Sequence, residues 1–132
     1  MAVQVSWDDT LEHVIRYDFE GGWTWDEFQT AYAGAQRLLE SVDTRVDVIV
    51  NLLPSTALQR GILEVVKRVA DDAPPNHGVT VYVGQRDILQ AFARAFERIY
   101  PVSARRVRLD FCASLDEARA LLRSDRQSPD VG

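Results

Sequence analysis

Two hydroxyls and a guanidinium are the groups in this chain with the types and spacing for chemistry. Ser55 and Thr56 stand just after Pro54, where a β-rich run gives way to an apolar series at helical spacing. A hydroxyl at a helix start has two uses. As an N-cap it accepts a hydrogen bond from an orphan amide. As a phosphoacceptor, or as an anion contact, it profits from the free amides and the local dipole. Arg86 follows the next β-rich run after Gly84-Gln85. If the two strands are neighbours, Arg86 emerges on the same rim as Ser55 and can pair with an anion at the strand carboxyl ends.

Other reactive types lack a pattern. His13, His77 and the single Cys112 do not have metal-ligand spacing. No Gly-rich phosphate loop or nucleophile elbow is present, so no cofactor and no catalytic constellation are expected. Trp23 and Trp25 flank Thr24. A tryptophan buries a large area, so core packing suits both; an exposed one would serve as a partner anchor.

The composition bounds the function classes. A chain of 132 residues with 46% hydrophobic content suits one domain with a real core. A net charge of −5 and short basic clusters argue against nucleic acid. One cysteine and no secretory leader pattern point to the cytoplasm, and no apolar run is long enough to span a membrane.

The elements that must position these residues centre on Val46 to Val69. Val46–Leu52 reads as a strand, and Leu58, Ile62, Val65 and Val69 mark one face of a helix running from about Thr56 to Ala70. Before it, Val3–Trp7 and Leu11–Phe19 alternate as a hairpin. Thr24-Trp25-Asp26-Glu27 is a capping box that opens a helix to about Val42. After it come a strand at Val79–Val83, a helix from Arg86 to Tyr100 closed by Pro101, and a strand at Val107–Phe111. A second box at Ser114-Leu115-Asp116-Glu117 starts a last helix. The domain is expected over residues 1–123, with 124–132 a polar, disordered tail.

The order ββαβαβαβα implies an α/β fold with parallel pairing and right-handed crossovers. One strand face gathers Val5, Ile15, Tyr17, Val48, Val50, Val81 and Val83. The other gathers Arg16, Asp18, Asp47, Asn51 and Thr80. The polar second face places all four helices on the first, as a single βα superhelix. The five-stranded mixed sheet then has order 1-2-3-4-5 with strand 1 antiparallel. The wet face would carry Val14, Ile49 and Tyr82 inside a charged rim, the composition of an interface, and stacking of two such faces would give a homodimer.

That element order resembles the STAS fold of the anti-sigma factor antagonists, SpoIIAA-like domains, over about Val3 to Arg123. The family carries a phosphorylatable Ser or Thr in the turn after the third strand, typically Asp-Ser-x-Gly. Here that turn reads Leu53-Pro54-Ser55-Thr56-Ala57, without the aspartate or the glycine. The resemblance implies a non-enzymatic, regulatory protein–protein interaction module, modulated at Ser55 or Thr56. The alternative is a domain that binds a small anionic ligand at the Ser55/Arg86 rim.

Overall fold

The computed structural model describes residues 2–54, 61–106 and 108–127. The hairpin is β1 (Val3–Trp7) and β2 (Val14–Phe19), followed by α1 (Trp25–Glu40) and β3 (Val46–Asn51). Then come α2 (Ile62–Asp71), β4 (His77–Val83), α3 (Arg86–Ile99), α4 (Pro101–Arg106), β5 (Arg108–Cys112) and α5 (Leu115–Gln127). The expected start of the second helix, with Ser55 and Thr56, and also Val107, lie outside the described residues.

The sheet order is β1-β2-β3-β4-β5. β1 is antiparallel to β2 and the other pairs are parallel. This is the expected α/β topology, and β3 sits at its centre with all six residues buried. Local chemistry sets the boundaries. Thr24 caps α1 as expected: its Oγ accepts from the Glu27 amide at 3.2 Å, and the Glu27 carboxylate accepts from the Thr24 amide at 3.1 Å. Pro101 does not simply close α3. It takes the first position of a short additional helix, α4, where a missing amide costs nothing.

Helix placement departs from the expectation. α1 to α4 cover one face, and α5 covers the other. Ile15, Val48 and Val50 pack with Phe28, Ala31 and Leu39 of α1. Val66 of α2 packs with Phe92 and Phe96 of α3 and against Leu109 and Phe111. On the reverse face Val14, Ile49, Val79, Val81 and Val83 form a separate core with Ala118 and Leu122 of α5. Handedness explains the difference. A helix between two parallel strands is bound to one face by its right-handed crossover. No strand follows α5, so it is free to take the other face.

The reverse face is not bare for two reasons. The β4 alternation is the reverse of the one expected: Ile49 pairs with Val81 and Val50 with Tyr82, so the valines face α5, and Thr80 and Tyr82 face α1 to α3. An irregularity between Val46 and Val48 shifts the register there. The charged residues of the reverse face are also held by α5. Arg126 donates to the buried Asp47, and Arg119 to Asp8 at 2.9 Å. The helix therefore runs through residues 124–127, which were expected to be tail, and Asp125 pairs with Arg45 and Arg108.

Candidate functional site

The sheet face under α1 and α2 is incompletely filled. α1 packs mainly on β1, with Gly34 close against Val5, whereas α2 packs mainly on α4 and α3. The two helices therefore lean toward opposite edges of the sheet, and a cavity of about 90 Å³ lies between them over β2, β3 and β4. Small residues keep it open: Ala35 on α1, and Ala70 and Ala73 at the end of α2. Most of the lining is apolar, with Phe28, Leu39, Val48, Val50, Val66, Val69 and Phe92 among its walls. Among the described residues, no Asp, Glu, Lys or Arg lines it.

The polar exceptions are specific. Tyr17 projects from β2, Tyr82 from β4 and Tyr32 from α1, and all three line the cavity. Gln36, one turn beyond Tyr32, donates from Nε2 to the Tyr32 hydroxyl at 2.7 Å. Tyr17 is 7% exposed. Burial, with the nearby Tyr32 and Tyr82, pushes its pKa far above the ordinary tyrosine value. Burial does the same to Tyr82. All three phenols are protonated at neutral pH. Among the described residues, neither Tyr17 nor Tyr82 has a hydrogen-bond partner for its hydroxyl.

His77 and Thr80 complete the polar lining, and they bond each other: His77 Nε2 lies 2.8 Å from Thr80 Oγ1. His77 opens β4, where burial lowers its pKa below 6.5 against a smaller opposing pull from Asp47.

The residues singled out in the sequence are mostly elsewhere. Val14 and Ile49 are 0% exposed, beneath α5. Tyr82 is on the opposite side of the sheet from them, stacked on Phe111 at 5.7 Å between ring centroids. The expected exposed patch is therefore not assembled, and the face proposed for sheet stacking lies under a helix. Trp23 is core, 1% exposed, and packs edge-on to Phe19 at 4.9 Å. Trp25 is half-buried and meets Trp23 edge-on at 5.0 Å. Arg86 is exposed at the first position of α3. Leu53 and Ile88, 48% and 49% exposed, stand beyond the carboxyl ends of β3 and β4 on that same rim. The phosphosite or anion role of Ser55 and Thr56 lies outside the described residues.

Tyr17, Tyr32 and Gln36 were not singled out. Their signal was weak: a Tyr and a Gln four residues apart on the buried side of α1, and a Tyr in the middle of an apolar strand face. Both patterns look like ordinary core with a polar fringe. Among the described residues no three of His, Cys, Asp and Glu are grouped to hold a metal ion. Among them, too, no helix is long and apolar enough to cross a membrane.

No family model and no curated protein sequence matches the chain. Among solved structures it is similar to an uncharacterised protein of the DUF3478 family with a SpoIIAA-like fold, from Shewanella loihica PV-4. The TM-score is 0.64, and the match covers 92% of each chain at 11% sequence identity. A likeness at that identity carries architecture alone: the chain has a SpoIIAA-like fold, the STAS arrangement that its element order resembles.

Proposed function

We propose that the protein is a non-enzymatic binding domain that holds a small, largely apolar molecule in the cavity between α1, α2 and the sheet. The cavity is the observation that carries this reading. Protein interiors pack to crystal density, with few voids larger than a water. Here a space of about 90 Å³, partly open to solvent, is left between two helices and the sheet. A lining this apolar gives water few partners, and such spaces take apolar guests. Concave, apolar sites with a few placed polar groups are the usual form of small-molecule sites. The test is a ¹⁵N-NMR titration with ethylbenzene. Saturable shifts confined to α1, α2 and the β2–β4 face support the reading; their absence would overturn it.

A second reading, the regulatory protein–protein interaction module, is favoured by Leu53 and Ile88. Leu53, just past β3, and Ile88, in the first turn of α3, are each about half exposed, the kind of side chain that anchors a partner. The SpoIIAA-like fold supports it by analogy. A protein partner isolated with the wild type and lost with Leu53→Ser/Ile88→Ser would support it. Equal retention by both would remove this surface from consideration.

A further inference from the structure

We propose that the cavity's occupant is uncharged, with an apolar body and one hydrogen-bond-accepting oxygen such as a ketone, ester or amide carbonyl, and that the hydroxyls of Tyr17 and Tyr82 hold that oxygen. This assignment rests on the cavity being a ligand site and adds the chemistry of what fills it.

Three observations converge. First, Tyr17 is more than nine-tenths buried, lines the cavity and, among the described residues, has no hydrogen-bond partner for its hydroxyl. Tyr82 lines the same space from the second strand over and is equally without one. Neither hydroxyl is sealed off: each keeps accessible surface, and the cavity they line is where a partner can reach them. Second, the other polar groups are already engaged. Tyr32 accepts from Gln36, and His77 and Thr80 bond each other. Third, no charged side chain among the described residues lines the space, and burial lowers the His77 pKa, which favours the neutral ring. A carboxylate or ammonium group would be desolvated there without a counter-ion. Protonated phenols donate, so what they ask for is an acceptor.

The experiment is a ¹⁵N-NMR titration at pH 7 with four probes of one skeleton: ethylbenzene, acetophenone, benzoate and benzylamine. Acetophenone should bind about tenfold more tightly than ethylbenzene, the worth of a buried hydrogen bond. Benzoate and benzylamine should bind more weakly than either. In Tyr17→Phe/Tyr82→Phe, acetophenone should fall to the affinity of ethylbenzene while ethylbenzene itself is unaffected. Both rings are kept in that variant, and its thermal unfolding checks the fold. If ethylbenzene binds and acetophenone binds no better, the carbonyl assignment is overturned and the apolar site stands. If benzoate equals acetophenone, the requirement for an uncharged ligand is overturned. If none of the four binds, the cavity reading falls and the assignment with it.

Discussion

Arg126 and Asp47 are 79 positions apart in the chain and 3.0 Å apart in the fold, joined from Nε to Oδ2. Asp47 is fully buried in the central strand. Its other oxygen accepts from Arg45 Nε at 2.9 Å and from the Val79 amide at 2.8 Å. The Arg126 guanidinium also donates to the carbonyls of Glu12, at 2.8 Å, and His13, at 3.1 Å. His13 holds a φ of 57°, a costly conformation outside glycine. One side chain of the last helix therefore ties together the hairpin turn, the central strand and α5.

Removing it should cost more than an ordinary surface change. In Arg126→Ala the buried carboxylate loses a charged partner, which costs about 3 kcal/mol. Arg126→Lys should recover little, because one ammonium cannot reproduce the planar fork that reaches three acceptors. Urea unfolding of the three proteins measures both. A loss under about 1 kcal/mol, the range of an exposed pair, would mean that Arg45 and Val79 satisfy Asp47 alone.

Gly78 is required by the same carboxylate. A Cβ at this position would overlap the Asp47 Oδ1 and the Arg45 guanidinium. The bond from the Val79 amide to Asp47 would then have to break, leaving a buried acceptor short. Gly78→Ala should lower stability by about 2–3 kcal/mol, although alanine is a mild change elsewhere in a strand. Chemical denaturation reads the difference, and an unchanged midpoint would show that the β4 entrance can shift.

The pH dependence should carry a signature of His77. Its folded pKa lies below the ordinary 6.5 because burial disfavours the imidazolium. As pH falls through 6.5, the unfolded chain takes up the proton first. Stability is therefore full above that value and declines below it until the folded pKa is reached. Asp8 and Asp125 act in a separate, lower window. Burial raises the Asp8 pKa, but the bonds from Arg119, Leu11 and Thr10 outweigh it. Arg45 and Arg108 lower that of Asp125. Their contribution is present above about 3.8 and lost as pH falls through the folded values. Thermal unfolding from pH 8 to 5 should slope downward in the wild type and flatten in His77→Asn. An equal slope in both would assign the titration to another group.

Where the alternation was strict, topology was legible in the residues. The hairpin, the capped α1, the buried β3 and the strand order follow from period, turn chemistry and handedness. The side chosen by α5 was not, because no crossover constrains a final helix. The Asp47, Arg119 and Arg126 pairings that hold it span 79 residues or more. The register irregularity at the entrance of β4 then exchanged the two faces of that strand in the reading, and Tyr82 went with them. The cavity was illegible for a different reason. It is a missing volume, set by how far α1 and α2 lean apart, and no residue type marks it.

That missing volume can be filled by one substitution. Ala35 is buried on α1 and lines the cavity. In Ala35→Leu the added carbons should occupy open space rather than displace neighbours, and cavity filling of this kind contributes about 1 kcal/mol. The same variant should lose ethylbenzene binding. The two readouts move together only if the probe and the new side chain compete for one space. A destabilised variant would show that the space is closed in solution, since overpacking costs about 1–3 kcal/mol. A stabilised variant that still bound ethylbenzene with wild-type affinity would place the probe elsewhere. Stability and affinity are therefore measured on the same samples, by urea unfolding and by NMR titration. A gain in the first with a loss in the second is the result that identifies this cavity as the binding site.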